Sequence, residues 1–258
     1  MTWDPKTYLA FGGERTRAAA ELVARIGLES PRCIADLGCG PGNSTALLAA
    51  RWPGARLDGI DNSPTMLAEA RASAIAARWI EADVTSWAPD APYDLIYSNA
   101  TLHWLGDHET LLPRLVSFLA PNGVLAFQVP RNFCEPSHRI AEELAAEPGW
   151  EKRLAGVRAW RNMLEPEACY AILEPIAERI DIWETRYVQA LEGADAVYRW
   201  VLGTGLRPFA DALDGDGREA FLGEYRARVA RAYPRRASGI TLFPFQRLFC
   251  LASRRTSP

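Results

Sequence analysis

Between residues 33 and 129 the chain alternates short apolar runs with amphipathic stretches, and the first four runs stop at a polar residue or glycine. That rhythm predicts βαβ units around a parallel sheet. Strands are expected at residues 33–37, 57–61, 78–82, 94–98 and 124–129. The helices between them have readable starts: Ser63-Pro64 is an N-cap followed by proline at the first helical position, and Met66, Leu67 and Ala70 supply its buried stripe. A helix over 108–119 ends at the Asn122-Gly123 turn into the fifth strand. Before the sheet, residues 16–26 form an amphipathic helix with Ala19, Leu22, Val23 and Ile26 on one face and Arg17, Glu21 and Arg25 away from it.

After residue 130 the rhythm changes. Residues 130–175 read as helical and hold Trp150, Trp160 and Tyr170; a strand follows at 179–188, then helices at 194–202 and 218–233, and a last apolar strand at about 248–252. The expected organisation is an α/β core over 1–130, 176–192 and 240–258. A helical cap over 131–175 and 193–239 would cover the C-terminal strand edges, where open α/β sheets bind ligands.

The first strand ends in Asp36-Leu37-Gly38-Cys39-Gly40-Pro41-Gly42-Asn43-Ser44. Glycine lacks a Cβ, so such a loop can turn at positive φ and bring main-chain N–H groups against a small polar ligand. Asn43 or Ser44 is then placed to cap the helix that Thr45 opens. The spacing is G-x-G-x-G, without the extra residue of dinucleotide folds or the Gly-Lys-Ser/Thr of phosphate loops. A nucleoside is implied and a phosphate is not required.

Three acids stand at the ends of consecutive strands: Asp36, Asp61 and Asp83. Asp61, about 20 residues beyond the loop, is placed for ribose hydroxyls, as in many nucleotide folds. By itself it suits NAD equally well; Asp83 is better explained as the acceptor for an exocyclic adenine amine. Asn99 adds a polar tip to the fourth strand, beside the reacting end. Each acid alone could be a helix cap or a solvated loop tip; four polar tips in succession favour a ligand.

The net charge of −3 and 48% hydrophobic content describe a folded protein without the basic surplus of a nucleic-acid binder. Lys6 and Lys152 are the only lysines, so nearly all positive charge is arginine, whose planar fork suits carboxylates. Five scattered cysteines without C-x-x-C imply a reduced, cytoplasmic setting, and no apolar run is long enough to cross a membrane. Residues 1–9 are polar and show no leader pattern. His103, His108 and His138 have no metal-binding spacing, so no metal is expected.

The segment Asp36 to Gly42, together with Asp61 and Asp83, resembles the motifs of class I S-adenosylmethionine-dependent methyltransferases. Across essentially the whole chain, Trp3-Asp4-Pro5, Glu14-Arg15-Thr16-Arg17, Gly40 to Leu48, Asn99 to Leu105 and Thr204 to Pro208 resemble the trans-aconitate methyltransferases. The resemblance implies a Rossmann-like seven-stranded, mostly parallel sheet whose last strand is antiparallel. It implies S-adenosylmethionine as cofactor, S-adenosylhomocysteine as its product, and a small polycarboxylate as acceptor, with no nucleic-acid or membrane partner. Cofactor contacts would come from Asp36, Gly38, Gly40, Asn43, Asp61, Asn62, Asp83, Val84 and Asn99, the last below the sulfonium. Arg15, Arg17, His103, Trp104 and Arg207 would serve the substrate, and Arg131 and Arg247 are further cationic candidates. An ionised carboxylate needs no general base, so the side chains have only to position the reactants. Methylation of another small molecule, or cofactor binding without turnover, are the alternatives.

Overall fold

In the computed structural model, residues 12–157 and 165–255 are described, with side chains from residue 16 onward. The sheet has seven strands: β1 (Cys33–Leu37), β2 (Arg56–Asp61), β3 (Arg78–Glu81), β4 (Tyr93–Asn99), β5 (Leu119–Pro130), β6 (Ala177–Glu192) and β7 (Ile240–Arg254). Their order is β3-β2-β1-β4-β5-β7-β6. β1 pairs in parallel with both β2 and β4, whereas β7 runs antiparallel to β5. The strand order therefore reverses at β1 and β4, and their C-terminal ends open the crevice in which such sheets bind ligands.

The expected strands all form, and three run longer than expected: β6 covers Ala177–Glu192 rather than 179–188, and β5 and β7 are also extended. β5 begins at Leu119, ahead of the Asn122-Gly123 turn, where Asn122 takes φ 62. β7 spans 15 residues, far more than residues 248–252, because Thr241, Phe243 and Phe245 alternate inward on both sides of Pro244. The amphipathic helix α1 (Gly12–Arg25) buries Ala19, Leu22 and Val23, as its periodicity predicts. Its C-terminal carbonyls are satisfied by Arg51, which donates to Val23 O at 2.5 Å and Ile26 O at 2.7 Å. At the strand ends away from the crevice, the buried Asp58 accepts two hydrogen bonds from Arg78 at 2.9 and 2.8 Å and one from Tyr93 Oη at 2.5 Å, tying β2, β3 and β4 together.

The chain divides into two compact units. Of the described residues, the first comprises 12–130, 165–185 and 247–255, and the second 131–157 and 186–246. The first unit's core is aliphatic and aromatic, centred on Leu37, Ile96, Leu115, Phe127 and Leu248. In the second unit, α5 (Pro136–Ala145) packs on the long helix α9 (Gly215–Ala232), whose Phe221, Tyr225 and Val229 recur every fourth residue on one buried face. Tyr225 Oη donates to Ser137 O at 2.6 Å, and Arg228 grips Glu147 through both guanidinium nitrogens at 2.5 and 2.7 Å. His138, buried here, has its pKa pushed down to about 4 by burial. No helix among the described residues is long and apolar enough to cross a membrane.

Candidate active site

The glycine loop leaves β1 between its two parallel neighbours. Gly38, Gly40 and Gly42 take φ values of 67, 56 and 95, the left-handed region where a side chain is strained. Gly38 and Cys39 donate their N–H groups to Ile60 O at 2.8 and 3.1 Å, and Gly40 N donates to Asp61 Oδ2 at 2.9 Å. These bonds hang the loop from the end of β2. A Cβ on Gly40 would meet no atom within 4 Å, so the chain leaves open space there for a ligand to approach backbone.

Gly42, at left-handed φ, is the N-cap of α2 (Asn43–Arg51), and no side chain caps that helix. The expectation that Asn43 or Ser44 does so is corrected: Ser44 Oγ and Thr45 Oγ1 both turn to Asp36 Oδ2, each at 2.7 Å. The reason is the buried carboxylate, which gains more from two hydroxyl donors than a helix end open to other partners would gain from one. Asp36 Oδ1 is buried with no partner among the described residues. Burial raises the Asp36 pKa to about 6, partly opposed by the two hydroxyls. An orphaned anionic oxygen beside N–H groups and open space suits the polar, cationic portion of a nucleoside ligand.

Asp61 also lies mostly out of solvent, and burial raises its pKa. Besides Gly40, it accepts from Ser63 N at 2.8 Å, which starts α3 (Pro64–Ala72). Asp83 is exposed; Thr85 donates to it from its hydroxyl at 2.6 Å and its N–H at 2.8 Å, lowering its pKa. Asn62 Nδ2 reaches the other Asp83 oxygen at 3.5 Å, so these two polar tips meet, while Val84 is buried beside them. Asp36, Gly38, Gly40, Asp61, Asn62, Asp83, Val84 and Asn99 lie on the loops and strand ends of the first unit, and Asn43 is the first residue of α2 in the same unit.

Past β4 the backbone is strained: Ala100 sits at φ 55, with its N–H on Gln128 O at 2.9 Å. The turn drops Thr101 into the notch left by Gly38 and starts the 3₁₀ turn Leu102–Trp104. His103 is buried there, its ring 4.7 Å from that of Trp104.

The cationic candidates belong to both units. The Arg15 side chain and Trp3-Asp4-Pro5 lie outside the described residues, as does Trp160. Arg17 is exposed and pairs with Glu21 one turn on, at 2.9 Å. Arg207, in the second unit, opens α8 (Arg207–Asp211) and pairs with Asp211 at 3.4 Å. Arg247 is buried in β7, donating to Gln128 Oε1 at 2.9 Å. Gln128, whose amide also meets Asn99, was not among the expected site residues. Its signal is a lone amide inside the apolar run Val124-Leu125-Ala126-Phe127-Gln128-Val129.

Comparison with known proteins gives a consistent answer. Residues 34–123 match a methyltransferase domain family. The chain is 50% identical to the trans-aconitate 2-methyltransferase of Azoarcus sp. (strain BH72), over 98% of this chain and 99% of that one. It is 51% identical to the trans-aconitate 2-methyltransferase of Streptomyces coelicolor, over 98% and 87%. Among solved structures, the plantazolicin methyltransferase BpumL, in complex with a pentazolic desmethylPZN analog and SAH, shares the fold at TM-score 0.52 and 16% identity, over 97% of this chain and 89% of that one.

Proposed function

The chain belongs to the trans-aconitate 2-methyltransferase family, and from that membership we propose that it esterifies a carboxylate of trans-aconitate, using S-adenosylmethionine. The observation that carries this reading is near-half identity along almost the whole chain, through both units and not the cofactor loop alone. When bound, S-adenosylmethionine supplies a methyl group on a positively charged sulfur that an acceptor oxygen displaces in line.

The residues present fit that cofactor. The backbone of the glycine loop and the orphaned oxygen of Asp36 would hold the methionine portion, and Asp61 the ribose hydroxyls. Asn62 and Asp83 would hold the adenine amine, with Val84 as an apolar wall. The acceptor's carboxylate is already ionised at neutral pH, so no side chain has to remove a proton. His103 and Trp104 would exclude water and orient the acceptor, a role that places alignment ahead of acid–base chemistry. The acidic balance of the chain and its five unpaired cysteines support a small-molecule acceptor, no nucleic-acid or membrane partner, and a cytoplasmic setting.

Incubation with a panel of di- and tricarboxylates and analysis by mass spectrometry tests the reading. A methyl ester of trans-aconitate is expected, and absence of ester from every acid would overturn it. Arg207 is proposed for acceptor binding, together with Arg15 and Arg17, on sequence setting. Arg207→Ala is expected to raise the KM for trans-aconitate by roughly tenfold, about the worth of one charge-assisted hydrogen bond, with S-adenosylhomocysteine affinity unchanged. Equal loss of both affinities would move Arg207 out of the acceptor site.

A further inference from the structure

Three side chains form a hydrogen-bonded line from the end of β4 across β5 to the middle of β7: Asn99, Gln128 and Arg247. Asn99 and Gln128 are paired in register, and Arg247 lies opposite Pro130, two residues beyond Gln128. The polarity of the line follows from chemistry alone. A guanidinium can only donate, so Gln128 must turn Oε1 to Arg247 Nη1, which it meets at 2.9 Å. Gln128 Nε2 is thereby forced toward Asn99, and Asn99 must answer with Oδ1. Its Nδ2 is left as a donor with no partner among the described residues, on a half-buried side chain. Amide orientation is ordinarily ambiguous, but an obligate donor at one end removes the ambiguity here.

A donor is the wrong polarity for a sulfonium and the right one for a carboxylate. We propose that Asn99 Nδ2 receives a carboxylate of the acceptor, with Gln128 and Arg247 as the positioning residues that set its polarity. This assignment moves Asn99 from the cofactor to the acceptor, and it rests on the carboxylate-methylating reading above.

Gln128→Glu keeps the shape and reverses the line. A carboxylate at that position accepts from Arg247 and from Asn99, so Asn99 must turn its amide over and present Oδ1 outward. The KM for trans-aconitate is expected to rise roughly 10- to 100-fold, the worth of a hydrogen bond to a charged group, while S-adenosylhomocysteine affinity stays within about threefold. Asn99→Ala should raise KM about tenfold. It should also leave the ratio of S-adenosylmethionine to S-adenosylhomocysteine affinity unchanged, because that ratio responds only to groups facing the sulfonium. If Gln128→Glu fails to fold by circular dichroism, Asn99→Ala decides alone. Ester formation with KM unmoved in the folded variants overturns this assignment and leaves the reaction standing. A shifted cofactor ratio with unmoved KM returns Asn99 to the sulfonium. No ester from the parent protein overturns the reaction, and the assignment with it.

Discussion

Asp36→Asn is expected to weaken S-adenosylhomocysteine binding by roughly 100-fold while leaving the ligand-free protein at least as stable as the parent. Asp36 is buried at the end of β1, with two hydroxyls on Oδ2 and none on Oδ1. Its charge is therefore only half satisfied until a ligand arrives. Asparagine occupies the same space, still accepts from Ser44 and Thr45, and removes the cost of enclosing an anion. The group it can no longer meet is the ammonium of the ligand's methionine portion, for which a buried carboxylate is the natural counter-charge. Calorimetric titration with S-adenosylhomocysteine and a thermal melt test the two halves. Unchanged affinity would mean that the loop binds its ligand through backbone alone.

The sign of the pH effect separates this from a general loss of packing. Burial raises the Asp36 pKa from 3.8 to about 6, so between those values the folded state holds the proton more tightly than the unfolded chain. This group's contribution to stability is full below about pH 4 and is lost as pH rises through 6, by up to roughly 3 kcal/mol. Ligand affinity runs the other way, because the ammonium requires the ionised form. It is expected to fall by up to tenfold per unit as pH drops below 6, and Asp36→Asn should abolish that slope. A variant that kept the parent's pH dependence would assign it to another group, Asp61 being the neighbour whose pKa burial also raises.

The strands and the glycine loop were legible in the sequence because both depend on local physics. The short apolar runs place Ile34, Ile60 and Ile96 in the core, and three glycines at alternate positions predict the positive φ values found at each. Ser44 misled because capping preference is a local rule, whereas its hydroxyl is claimed by an acid eight residues back that only the fold brings alongside. β7 was read too short because Pro244 argues against a strand interior, yet Phe243 and Phe245 on either side of it are buried in alternation. The Asn99–Gln128–Arg247 line could not be read at all. Gln128 and Arg247 are 119 positions apart, and only the antiparallel β5–β7 pairing makes them neighbours. The only local trace of the line is the Gln128 amide inside an apolar run.

Gly38→Ala is expected to cost the fold about 3 kcal/mol and to remove cofactor binding. Two separate penalties add. Gly38 is at φ 67, where alanine loses about 1 kcal/mol, and its new Cβ would lie 2.1 Å from Thr101 Oγ1, 2.3 Å from Cγ2 and 2.6 Å from Cβ. Thr101 is not free to swing aside: its hydroxyl donates to Gly38 O at 3.3 Å and Asn99 O at 3.4 Å, and it follows the strained Ala100. Relief would displace the tip of β4, and with it Asn99 and His103. Gly40→Ala carries only the φ penalty, since no atom lies within 4 Å of its Cβ, so it should cost about 1 kcal/mol while still obstructing the ligand's approach to backbone. Combining Gly38→Ala with Thr101→Gly empties the notch and should recover the overlap, about 2 kcal/mol, but not the φ term. Urea denaturation of the two single variants and the double variant measures the coupling. Strictly additive losses would show that Thr101 does not occupy the space that Gly38 leaves.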